Sequence, residues 1–104
     1  MTAQQITKQA IAELTAKGCR VRRVHNVSAY RNRRNHVEKG WPDIQGYDRN
    51  GKVVLCEVKA EGDVFSSEQL ERLQDCHRCG GLALFADDSG LHAFSEIVKK
   101  QTIE

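Results

Sequence analysis

The sequence predicts a mixed α/β sandwich, a single domain over residues 1–104 with helices packed against one central sheet. Three observations lead there. Two segments with helical spacing, one near the N-terminus and one beyond the middle, each open with a capping-box pair and close at glycine. Between them, two valine-rich runs meet at Asn50-Gly51, a strong hairpin signal. After the second helical segment, Leu82-Ala83-Leu84-Phe85-Ala86 is wholly apolar and short, the mark of a buried strand. The predicted order is α-β-β-β-α-β, with a last strand or short helix after it.

Thr2 to Lys17 reads as the first helix. Thr2 and Gln5 fit a capping box, Ala3, Ile6, Ala10 and Leu14 recur at helical spacing, and Gly18 supplies the stop. The same helix puts Gln5, Gln9 and Glu13 in one polar row beside the apolar stripe. Cys19 to Val27, bounded by Gly18 and Asn26-Val27-Ser28, reads as a strand. Ala29 to Gly40 carries charge without apolar periodicity and is expected to be an exposed loop.

Asp43 to Asp48 and Lys52 to Ala60 follow as paired strands, and their loop length decides what faces what. A two-residue Asn-Gly turn would set Asp43 opposite Val58. A three-residue loop, Arg49-Asn50-Gly51 with Gly51 in the left-handed region, sets Asp43 opposite Glu57, roughly 5.5 Å away at the backbone. The three-residue loop is expected. Glu57 and Lys59 then share one face about 7 Å apart along the strand, and Val54, Cys56 and Val58 take the other, against a helix. Ser66 to Cys79 reads as the second helix, with Ser66 and Gln69 as a capping box and Leu70 and Leu73 facing inward. Gly80-Gly81 ends it. A turn over Asp87 to Gly90, a strand over Leu91 to Phe94 and a closing helix over Ser95 to Gln101 complete the chain.

At 104 residues, with 39% hydrophobic and 29% charged residues, the chain has a globular composition and room for one modest core. No apolar run reaches membrane-spanning length and no signal-peptide pattern opens the chain, so it is expected to stay where it is made, with no membrane partner. Reduced thiols are then the default for Cys19, Cys56, Cys76 and Cys79. The net charge of +2 says little, but its distribution is uneven: Cys19 to Trp41 holds seven Lys/Arg against one acid, Glu38. A basic segment on a nearly neutral chain is the footprint of a polyanion-binding surface.

The chemistry centres on Gly40-Trp41-Pro42-Asp43 and Glu57-Val58-Lys59. Two carboxylates facing each other across a hairpin repel unless positive charge lies between them. A hard divalent cation with oxygen ligands meets that need, and Mg²⁺ keeps waters and a substrate phosphate in its shell. Lys59 beside them can position or deprotonate an attacking water, or stabilise a phosphorane-like transition state. A lone Glu-x-Lys is common on a solvated strand face, so the combination carries the signal.

That combination is Gly40-Trp41-Pro42-Asp43, 13 intervening residues, Glu57-Val58-Lys59, Ser66-x-x-Gln69, and Gly80-Gly81 before an apolar strand. It resembles the PD-(D/E)xK nuclease superfamily, and within it the small VRR-NUC branch of stand-alone phage and bacterial proteins; the resemblance runs from about Ile6 to Phe94. It implies a restriction-endonuclease-like core, Mg²⁺ or Mn²⁺ as cofactor, and DNA as substrate, often branched or flapped. It implies Asp43, Glu57 and the Val58 backbone carbonyl as metal ligands, Lys59 as the catalytic lysine, and Gln69 as support for the site or a contact to the scissile phosphate. It also implies a cytoplasmic protein of a bacterial or phage-infected cell, and a homodimer by analogy with related resolvases. One departure stands out: related sequences commonly carry a glutamate near the position of Gln5. Glu13 is the candidate substitute ligand, and a single ion becomes the simpler expectation.

Under this reading Arg31, Arg33, Arg34 and Lys39 clamp phosphates on the way into Asp43. Tyr30 and Trp41 can stack on unpaired bases, though Trp41 serves equally well as a wedge under the hairpin. His25 and His36 suit phosphate contact or solvent. Cys76-His77-Arg78-Cys79 has zinc-knuckle spacing, with His92 a conceivable third ligand, but no second pair follows. Two alternatives from other classes therefore remain: a DNA-binding module with the same fold that does not cleave, and a small zinc-stabilised interaction domain.

Overall fold

A computed structural model describes residues 1–24 and 40–97. The elements are α1 (Ala3–Ala16), β1 (Arg20–Arg23), β2 (Ile44–Tyr47), β3 (Val53–Val58), α2 (Ser67–Arg78), β4 (Leu82–Asp87) and β5 (Gly90–Ala93), with residues 94–97 again helical. The five strands form one mixed sheet in the order β1-β2-β3-β4-β5, in which β3 and β4 are parallel and the other pairs antiparallel. The parallel step needs a crossover, and α2 supplies it.

Both helices begin where their capping boxes predict. Thr2 accepts from the Gln5 N–H while Gln5 accepts from the Thr2 N–H, and Ser66 and Gln69 repeat the exchange. Each box satisfies two donors that a helix start leaves open. The hairpin loop is the three-residue form: Gly51 N–H donates to the Asp48 carbonyl, Asp48 N–H to the Lys52 carbonyl, and Gly51 sits at φ +80°. The register that follows, Ile44 with Cys56 and Gln45 with Leu55, puts Asp43 across from Glu57.

Strand alternation then divides the sheet into two faces. On one, Ile44, Val54, Cys56, Val58, Leu84 and Ala86 bury against Ile6, Ala10 and Leu14 of α1. Each large side chain of that set stabilises the fold by about 1.5–3 kcal/mol relative to exposure. On the other, Leu55, Ala83 and Phe85 bury against Leu73 and Cys76 of α2 and Ile97. Among the described residues the four cysteines are free thiols, with Cys19, Cys56 and Cys76 buried. Burial, with the Glu57 and Asp43 charges nearby, pushes Cys56 up to about 12, so it is an inert core residue.

Within the predicted Cys19 to Val27 strand, β1 is described over Arg20–Arg23, and Val24 N–H donates to the Asp43 carbonyl just beyond it. The predicted continuation to Val27, the loop to Lys39 and the helix beyond residue 97 lie outside the described residues. Ala3, predicted as part of the apolar stripe, is exposed at the first position of the helix. No helix among the described residues is long and apolar enough to cross a membrane.

Candidate active site

Pro42 is fully buried and delivers the chain into β2, with Gly40 and Trp41 fastened to α2 just before it. Gly40 has φ +91°, and a side chain there would overlap the Glu68 backbone. Trp41 lies over the Arg72 guanidinium, 4.5 Å from its ring centroid, a cation–π contact. Trp41 is thus supported by α2 while its ring stays partly exposed. The Gly-Trp-Pro motif works as a clamp that fixes where Asp43 enters the sheet.

Asp43 Oδ2 accepts a 3.2 Å hydrogen bond from the Val58 N–H. That bond ties the carboxylate to the strand carrying Glu57. Glu57 is only 3% exposed, and its Oε2 is buried without a hydrogen-bond partner. Burial raises its proton affinity well above the usual carboxylate range, and the adjacent Asp43 raises it further; Lys59 and the Val58 N–H offset only part of this. The two carboxyl groups lie within hydrogen-bonding reach. As two acceptors they repel when both are ionised, so a proton or a cation belongs between them.

Lys59 occupies the next outward position on the same face. Its Nζ donates to the Val64 carbonyl and to Gln69 Oε1, both at 2.8 Å, and lies 4.7 Å from the Phe65 ring centroid. Phe65 in turn meets Phe85 edge-on at 5.5 Å. Gln69 Oε1 also accepts from the Ser66 N–H at 2.9 Å. The two roles considered for Gln69 thus coincide in one atom, which caps the helix and anchors the lysine. A lysine amine carries three donors, and two are committed to protein acceptors.

Lys59 opens onto a cavity of about 640 Å³ whose walls include Asp63, Phe65, Phe85, Asp87 and Ser89. On its far side a hydrogen-bonded cluster was not legible in the sequence. His92 Nε2 contacts Asp87 Oδ1 at 2.8 Å, His92 Nδ1 contacts Glu96 Oε2 at 2.9 Å, and Ser89 Oγ donates to Asp87 Oδ1 at 2.7 Å. Partial burial raises Asp87, but the Ser89 and His92 hydrogen bonds outweigh it and bring it to about 2. The imidazole stacks on Phe85 at 4.7 Å. The only sequence trace of this cluster is His92 itself. It is not a partner for Cys76 and Cys79, because both ring nitrogens are engaged at the β4–β5 end. Cys76 is buried in the core and Cys79 exposed, and no group of three or more metal-binding side chains forms around them among the described residues.

The structure brings Asp43, Glu57, Lys59 and Gln69 together. It does not bring Glu13. That residue lies on the α1 face of the sheet, beside Gly90 and Leu91 of β5, whereas Glu57 points to the α2 face from β3. Two strand spacings, about 10 Å, and the thickness of the sheet separate them, which corrects the expectation that Glu13 replaces the missing acid. Gln5 is spent on the helix cap. Among the described residues no group of three or more His, Cys, Asp or Glu side chains can hold a metal. Arg31, Arg33, Arg34 and Lys39, with Tyr30, His25 and His36, lie outside the described residues.

The fold and the paired carboxylates define a class: an α/β protein consistent with a restriction-endonuclease-like core, bearing an acidic site at the C-terminal end of β3. The family follows from comparison of the sequence with known domains. Residues 2–87 match the VRR-NUC domain model, and the chain belongs to that family. Among curated proteins, none matches it significantly. VRR-NUC is a nuclease domain, which gives this chain a nuclease-type role in DNA processing.

Proposed function

We propose that this chain is a metal-dependent endonuclease of the PD-(D/E)xK type that hydrolyses DNA phosphodiester bonds. Junctions, flaps and nicked duplexes are its proposed substrates, and a homodimer is its working form. The observation that carries this reading is the buried, partly unpartnered Glu57 facing Asp43, with Lys59 anchored beside them. Nothing in folding calls for that arrangement, since an unsatisfied buried carboxylate oxygen costs stability.

The donor set suits a hard cation. Asp43, Glu57 and the Val58 carbonyl would hold Mg²⁺ or Mn²⁺, a small number of protein oxygens of the kind Mg²⁺ accepts. When bound, the ion supplies positive charge that stabilises both the carboxylate pair and the phosphoryl oxygens. The chain's own residues do the rest. Glu57 and Asp43 are held face to face by the hairpin register and by the Val58 N–H. Lys59, fixed by Val64 and Gln69, keeps a third donor for a phosphate oxygen or the attacking water, so it pays no reorganisation cost at the moment of reaction. Arg31, Arg33, Arg34 and Lys39 hold phosphates on the approach to Asp43. With Glu13 absent from the site, a single ion is the proposed stoichiometry.

The second reading is a DNA-binding module that does not cleave. It is favoured by Gln5 serving as a cap and by the absence of a third acid among the described residues. The deciding experiment incubates wild type and Lys59→Ala with duplex, flap and four-way-junction DNAs under Mg²⁺, Mn²⁺ or EDTA. Cleavage by wild type with metal, lost in EDTA and in Lys59→Ala, is expected. Cleavage that survives both would overturn the nuclease assignment, and binding without cleavage under every metal would establish the module.

A further inference from the structure

Among the described residues, no helix packs over one half of the α2 face. α2 lies against β3 and β4, and no described helix covers the β1–β2 half. Strand register fixes what that half displays. Arg20 pairs with Tyr47 and Arg22 with Gln45 across β1 and β2, and Tyr47 and Gln45 face Val53 and Leu55 across β2 and β3. All of them share the face of Glu57, whereas Val21 points the other way into the α1 core.

The rungs run in order toward the active site. Asp43 and Glu57 form one, Gln45 and Arg22 the next, and Tyr47 and Arg20 the one after. Two residues per rung is about 7 Å, so along the strand direction the two arginines lie one and two rungs, about 7 and 14 Å, from the carboxylate rung. Their mutual spacing is comparable to that of successive phosphates in an extended strand. Both arginines are exposed, and Tyr47 is 55% exposed. Among the described residues, no carboxylate lies in ion-pair contact with either guanidinium. A shallow cavity of about 300 Å³ lies over them, lined by Arg20, Val21, Arg22, Gln45, Gly46 and Tyr47. Gly46 lets β1 and β2 approach closely here, because a side chain there would overlap the Arg20 carbonyl and the Val21 backbone.

We propose that this half-sheet is a phosphate track, on which Arg20 and Arg22 hold consecutive phosphates of the DNA strand leading away from the Asp43–Glu57 site and Tyr47 stacks on an unpaired base. Exposed guanidinium groups aligned on an acidic centre, with no described carboxylate paired to them, make a charge pattern complementary to a polyanion whose reacting phosphate lies at one end. An exposed aromatic among arginines on a sheet surface is a platform for single-stranded bases. The track rests on DNA being the substrate; it uses the strand-borne arginines at the start of the basic stretch and is distinct from Arg31, Arg33, Arg34 and Lys39.

The test is binding of a fluorescently labelled single-stranded oligonucleotide in EDTA, read by anisotropy between about 0.05 and 0.3 M salt. Each phosphate contact contributes about 0.7 to the salt slope for single strands. Arg20→Ala/Arg22→Ala is therefore expected to lower the slope by about 1.4 and weaken binding roughly tenfold. Arg20→Lys/Arg22→Lys should retain most of the slope, and Tyr47→Leu should weaken binding roughly fivefold without changing it. Lys8→Gln/Lys17→Gln removes equal charge from exposed positions on α1, across the sheet, and should leave the slope unchanged. An unchanged slope in the alanine pair, or an equal fall in the α1 pair, would overturn the track whether or not the protein cleaves. A reduced slope in the alanine pair alone, in a protein that cleaves under no metal, would support the track and overturn only the nuclease reading.

Discussion

The two faces of the sheet are made by the same strands and have opposite characters. Along β3, Val54, Cys56 and Val58 turn toward α1 and lie in a dry apolar layer. Leu55 and Glu57, one residue out of step, turn toward α2, and Lys59 follows them beyond the strand end. There the layer is apolar only at its base, around Leu73 and Phe85. Toward the C-terminal end of β3 it becomes a row of acid, lysine and glutamine. The α1 face is satisfied by folding alone. The α2 face keeps a buried carboxylate oxygen without a partner, a cost that folding does not require. Period-two alternation thus lets one short strand serve stability on one side and chemistry on the other.

Substitutions on each face can break that division. Lys59→Ala is expected to reduce cleavage by about 10²–10³-fold, with the melting temperature nearly unchanged; single-turnover cleavage and thermal melts on one preparation would check both. On the α1 face Leu14→Ala, at a side chain 1% exposed, should cost about 2–5 kcal/mol in urea unfolding and leave turnover per folded molecule intact. A Lys59 variant that unfolds, or a Leu14 variant that folds but loses turnover, would show the faces are not separate. Gln69→Ala belongs to both tasks. It should cost about 1 kcal/mol from the lost cap and slow cleavage about tenfold through the freed Lys59, whereas Gln69→Glu should restore the cap.

The smallest effect concerns Asp87. Its carboxyl falls from 3.8 to about 2 in the folded chain. A depressed folded value means that the carboxylate supports the fold above pH 3.8 and that this support fades as pH drops toward 2. Thermal melts across that window should fall more steeply for wild type than for Asp87→Asn.

Local chemistry explains what was legible without coordinates. The capping boxes at Thr2–Gln5 and Ser66–Gln69 involve residues three apart, and the Arg49-Asn50-Gly51 loop sets its own register, so helix starts and the Asp43–Glu57 pairing could be read directly. Strand ends could not: valine content marks a strand but not where its pairing with a neighbour ends, which depends on residues distant in sequence. Glu13 was misplaced for a similar reason. Its row on the helix is visible, but which strands α1 covers depends on the sheet order. The Asp87–Ser89–His92–Glu96 cluster needs β5 folded back on β4, and the double duty of Gln69 Oε1 needs the loop before α2 to bring Lys59 within reach.

The proposed cation site between the carboxylates is tested most directly by thermal unfolding of wild type and Glu57→Gln across pH 5–9, in EDTA and with Mn²⁺. Glu57 rises from 4.5 to about 9 in the folded chain. Stability tied to its proton is therefore full below 4.5 and lost as pH climbs toward 9. In EDTA, wild type should lose melting temperature over that range while Glu57→Gln stays flat and exceeds it at pH 8 by about 1–3 kcal/mol. Mn²⁺ should restore wild type at pH 8 and leave the variant unmoved. Identical pH profiles for the two proteins, with neither responding to Mn²⁺, would contradict a cation site at Asp43 and Glu57.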